Sequence, residues 1–200
     1  MIIVLLFIFC FNNYLKNIEM NIKFRYNKCH TTTINMKGRC NMNISEIYSK
    51  EKIINAHFRK KYNYNSEEIF NKQVLELLCE LSEFAYETKC FKYWKEEKQS
   101  SPDITIPEFA DCLMITLCFC DLANINEIEL ENIEEKDMVK LFIEANKLAA
   151  SLTMDLEKEK LLKLLSYLIE ISKLLNYSDE ELDNHCIKKM NKTLKMIREK

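Results

Sequence analysis

A chain of 200 residues with one glycine and two prolines has few places where its backbone can reverse tightly. Hairpin turns draw on residues that tolerate positive φ or pre-set a turn, so a fold built from short connected strands is disfavoured and long helices joined by a few loops remain. The make-up agrees: 48% of residues are hydrophobic and 30% charged. That is enough apolar material for a core, and runs of Leu, Ile, Glu and Lys recur at helical spacing. The length suits one all-α domain, a helical bundle.

Residues 1–41 differ from the rest. Met1 to Phe11 is almost wholly apolar, and a polar, basic stretch with Thr31 to Thr33 follows. Here Lys16, Lys23, Arg25, Lys28, Lys37 and Arg39 face the single acid Glu19. The apolar run is about half of the roughly 20 residues a membrane span needs, and it lacks the charged start of a secretory signal. An N-terminal appendage over 1–41 is expected, disordered or a weak targeting segment, with no stable membrane insertion; the folded domain is expected over 42–200. With those residues set aside from 29 basic and 31 acidic ones, the domain carries a net charge of −7. That is no footprint for nucleic acid, and an acidic body suits the capture of divalent cations. Nine cysteines occur without a CxxC pair, and Cys79, Cys112, Cys118 and Cys120 sit in apolar helical stretches. They read as small buried hydrophobes in a reducing, cytoplasmic setting rather than as a zinc site.

Helices are expected over 44–61, over 67–91 behind Ser66 as N-cap, from about Pro107 to Ala123, over 133–153 and over 157–175. Ser178 followed by Glu181 has the pattern of a capping box, opening a last helix that runs toward Arg198. On the second helix Val74, Leu77, Leu78, Leu81, Phe84 and Ala85 form one apolar stripe.

Beside that stripe Glu76, Glu80, Glu83 and Glu87 form an acidic line. Such a line is either a solvated face or a site awaiting a cation. The third helix reads EFADCLMITLCFCDL from Glu108 to Leu122 and is apolar nearly all round, so Glu108 and Asp111, one turn apart, are expected to point inward. They either favour the helix N-terminus electrostatically or meet a cation, because unpaired buried carboxylates are costly. Glu80-x-x-Glu83 and Glu108-x-x-Asp111 on adjacent helices offer four hard oxygen ligands, the set magnesium prefers.

The stretch ELLCELSEFAYETKCFKYWKEE (Glu76 to Glu97), followed by EFADCLMITLCF (Glu108 to Phe119), resembles the dimeric all-α dUTPase family. The resemblance lies in two E-x-x-E/D motifs at this separation and in the aromatic tail FKYWK, Phe91 to Lys95. It implies a homodimeric enzyme that uses Mg2+ to hydrolyse dUTP to dUMP and pyrophosphate. Glu80, Glu83, Glu108 and Asp111 would bind the metal, and Glu80 or Glu83 would activate water. Trp94 and Asn55 would meet the nucleoside, and Lys92, Lys95, Lys189, Asn191 and Arg198 are candidates for the phosphates. The chain has Ser82 and Tyr86 where the family often has Gly and Asn, and its last helix does not keep a K-x3-N-x2-R spacing. The alternatives are a related all-α pyrophosphohydrolase acting on dCTP or other nucleoside triphosphates, and a non-catalytic helical dimerisation scaffold.

Overall fold

The computed structural model describes residues 42–199 apart from 63 and 65; the appendage expected over 1–41 lies outside the described residues. Among the described residues the chain forms six helices and no strand: α1 Ile44–Lys61, α2 Glu67–Thr88, α3 Pro102–Leu122, α4 Met138–Ala150, α5 Lys158–Leu174 and α6 Asp179–Arg198. None of them is long and apolar enough to cross a membrane.

α3 explains its own composition. It packs against α1, α2, α5 and α6, so nearly every side of it is covered. Phe109, Ala110, Cys112, Leu113, Leu117, Phe119 and Cys120 are all fully buried. α2 lays Leu77, Leu81 and Phe84 on it. Phe84 joins two contacts at once, edge-on to Phe109 at 5.9 Å and to Phe142 of α4 at 5.2 Å. Each such ring, fully buried, contributes about 1.5–3 kcal/mol, so truncating Phe84 to Ala at this junction is expected to cost about 3–5 kcal/mol.

Local chemistry sets most helix ends. Ser66 accepts from the Ile69 N–H, and Ser178 and Glu181 make the reciprocal capping box, so α2 and α6 start where expected. Four expected boundaries move, α4 ending at Ala150 rather than at 153 and the other three as follows. α2 stops at Thr88 because Lys89 turns left-handed (φ 60°) and its N–H closes onto Tyr86. α3 starts five residues before Pro107: Pro102 takes the first-turn position and Pro107 is accommodated inside. α4 starts at Met138 rather than near 133, because Asp137 caps it by accepting from Val139 and Lys140 N–H. The stretch before it runs without helix and buries Ile125, Ile128, Leu130 and Ile133 instead. It is pinned by two side chains from helices, the Tyr48 hydroxyl donating to the Ile125 carbonyl at 2.6 Å and Ser166 Oγ accepting from Glu131 N–H at 2.8 Å.

Candidate active site

The pairing of α2 with α3 brings the acidic line of one helix against the inward acids of the other. One carboxylate oxygen each from Glu80, Glu83 and Glu108 lies within 4.8 Å of the others, and all three side chains are half-buried. Burial pushes the Glu80 acid up to about 8, with the charges of Asp111, Glu83, Glu108 and Glu76 adding to it. Glu76, one turn before Glu80, is raised to about 7 by burial and then by Asp111. Glu108 is raised by burial and by Glu83 and Asp111, against the opposing pull of Lys189. These groups are short of positive charge. A hard divalent cation with oxygen ligands supplies what is missing, so the residues present fit magnesium.

Asp111 belongs to the same electrostatic group but is held differently: its Oδ1 accepts from Lys189 Nζ of α6, an ion pair with both side chains about one-third exposed. The fourth glutamate of the line, Glu87, serves the loop after α2. Its Oε2 accepts from Ser100 Oγ and, at 3.2 Å, from Lys89 Nζ, while its carbonyl takes the Ser100 N–H at 2.9 Å.

A second polar group lies among α1, α2 and α3. Asn55, 2% exposed, donates through Nδ2 to Asp121 Oδ2 at 3.3 Å, and Arg59 Nη2 donates to that same oxygen at 2.6 Å. Glu51, one turn before Asn55 and 5% exposed, has its acid pushed up to about 8 by burial and then by Asp121 and Glu76. Glu51 Oε2, Arg59 Nε and Gln73 Oε1 are buried without a hydrogen-bond partner. Buried polar groups are normally satisfied, so these unmet donors and acceptors mark a place where the chain leaves polar atoms uncompensated. Glu76 links the two groups electrostatically, since its charge acts on both Glu51 and Glu80.

The remaining expected site residues are engaged elsewhere on the chain. Lys92 and Lys95 both pair with Glu97, and Trp94 is 62% exposed with its ring edge-on to Tyr93 at 5.1 Å. Asn191 accepts from Lys50 Nζ of α1 at 3.0 Å, and Arg198 lies in the exposed last turn of α6. Lys189 and Asn191 are two positions apart, on nearly opposite sides of a helix, so the fold brings only Lys189 to the carboxylates. Sequence reasoning missed Glu51; its i, i+4 relation to Asn55 on a helix that also buries Ile47 and Ile54 is the signal that points to it.

A family model described as dUTPase matches residues 43–199, nearly the whole described chain. No curated protein and no solved structure matches the chain significantly. The chain belongs to the dUTPase family, and the activity that this membership supports is that of a nucleotide pyrophosphohydrolase.

Proposed function

We propose that this member of the dUTPase family hydrolyses dUTP to dUMP and pyrophosphate with Mg2+ held by Glu80, Glu83, Glu108 and Asp111. The observation that carries the reading is the convergence of three half-buried carboxylates within 4.8 Å on the two helices that hold the family's acidic motifs. Magnesium, when bound, supplies charge neutralisation to the triphosphate. The chain's own part is to orient the attacking water and take its proton, and on this reading Glu80 or Glu83 has that role. The base would lie toward α1, where Asn55 and the unpartnered oxygens of Glu51 and Gln73 offer polar contacts.

The family's dimeric habit supports a second copy in the working form. Leu75 and Trp94 are each more than 60% exposed, and Tyr86 and Phe91 between them are also exposed, so α2 and its tail offer apolar surface for a partner to cover. On this reading Trp94 completes the nucleoside pocket only in the dimer. Gel filtration is expected to give twice the chain mass; a monomer with full activity defeats that part.

The test is pyrophosphate release from dUTP, dCTP, dTTP and UTP, with magnesium and with EDTA, for the full chain and Glu83→Gln. Magnesium-dependent release from dUTP above the others, lost in the variant, is the expected result. Preference for dCTP replaces the base assignment and keeps the metal site. Inactivity on every nucleotide, with no saturable magnesium binding by calorimetry, leaves the dimerisation scaffold.

A further inference from the structure

We infer that Lys189 gates cation loading: by holding Asp111 it limits the resting cluster to one divalent ion, and the nucleotide's phosphates, by drawing Lys189 away, free Asp111 for a second. The inference rests on the metal site proposed above and adds an order of events to it.

Asp111 lies one turn after Glu108 on α3, on the same face, and its charge raises the acids of Glu80, Glu76 and Glu108. By charge and position it belongs with the other three carboxylates. The oxygens that converge within 4.8 Å nevertheless come from Glu80, Glu83 and Glu108, while Asp111 Oδ1 is taken up by Lys189 Nζ. Four free carboxylates carry the negative charge to balance two divalent ions; with Lys189 in place the group balances only one and part of another.

The pair is built to open. Asp111 is 31% and Lys189 34% exposed, so solvent screens their attraction and a stronger anion competes for the ammonium. A triphosphate is that anion, and a lysine on a flexible stem meets phosphate as a point charge. Among the described residues of α6, Lys189 is the cation paired with a carboxylate of this cluster. His185, one turn earlier, is held neutral at pH 7 because burial and the Lys189 and Lys188 charges lower its pKa, while Lys195 pairs with Glu199 at 3.7 Å. Lys189 is thus a positioning residue for Asp111 at rest and a phosphate contact once substrate arrives.

Mn2+ bound to the full chain is counted by electron paramagnetic resonance, with and without α,β-imido-dUTP, for the native protein, Lys189→Met, Lys189→Arg and the double variant Lys189→Met with Asp111→Asn. The native protein is expected to bind one ion per chain alone and two with the analogue. Lys189→Met is expected to bind two without it, the second roughly tenfold tighter than in the native protein, the scale of removing one nearby unit charge at a partly screened site. Lys189→Arg should behave as native, and the double variant should return to one. The gate is overturned if Lys189→Met stays at one ion without analogue, if the native protein already binds two, or if the analogue leaves the native count at one; the last two need no variant to fold. Absence of saturable Mn2+ in every protein overturns the metal site itself and the gate with it.

Discussion

Two of the half-buried or buried carboxylate sites in this bundle are treated in opposite ways. Glu170 of α5, 7% exposed, has Lys136 at 2.5 Å on one oxygen and Lys173 at 3.6 Å on the other. Glu80 of α2 has Glu76, Glu83, Glu108 and Asp111 acting on it, and the lysine that reaches the group, Lys189, goes to Asp111. Where an acid serves the fold, the chain supplies its counter-ions from residues close by. Where, on the reading proposed above, it would serve an external cation, the chain withholds them, and the cost appears as acids raised toward and above neutrality.

The contrast can be broken by substitution at each pole. Glu80→Gln is expected to lower magnesium-dependent pyrophosphate release by about 10^2–10^3-fold, the scale of losing one group that stabilises developing charge, while leaving the circular dichroism spectrum intact. The same variant should be about 1 kcal/mol more stable than the native protein without magnesium, because it removes repulsion discounted for partial exposure. Glu170→Ala should do the reverse: a loss of about 1–2 kcal/mol in urea unfolding with kcat essentially kept. If Glu80→Gln destabilises, or Glu170→Ala abolishes turnover, the division of roles fails.

The pH dependence sharpens the same point. Glu80 and Glu51 titrate at about 8 and Glu76 at about 7 in the fold, above the ordinary 4.5 of an unfolded glutamate. Between pH 4.5 and 8 the folded chain therefore holds more protons than the unfolded one, and stability falls as pH rises through that window. The metal-free melting temperature should drop by several degrees from pH 6 to 8.5, and saturating magnesium should flatten the slope by favouring the ionised acids. At pH 7, magnesium binding should release protons, read as a dependence of calorimetric heat on the buffer's ionisation enthalpy; a buffer-independent heat contradicts the raised acids. The smallest effect concerns Trp94: Trp94→Ala should change the stability of the separated chain by less than about 0.5 kcal/mol, as exposed positions do, while raising KM for dUTP if the indole completes a pocket in the dimer.

Features carried by neighbours in sequence were legible in advance. α1 begins and ends where its apolar period does, the Ser178 and Glu181 cap forms as its spacing indicates, and Glu80, Glu83 and Glu108 meet because E-x-x-E and a half-buried acid on an apolar helix each select one helix face. The start of α4 departs from the expected 133 because Ile133 satisfies burial in an extended run as well as on a helix, and the Asp137 cap decides between them. Glu51 stayed hidden because an acid on an amphipathic helix reads as solvated until two other helices cover it.

The sequence by itself determined the class of fold, the helices and the acidic motifs, since one glycine, helical apolar spacing and i, i+3 carboxylates act through bonds and turns a few residues long. Only the tertiary structure decided that Asp111 is tied to Lys189, that Asn191 faces Lys50, and that Glu51, Arg59 and Gln73 keep unmet polar atoms beside Asn55. Those contacts join residues up to 141 positions apart, and their geometry depends on how α1, α2 and α6 are set around α3, which no local pattern encodes.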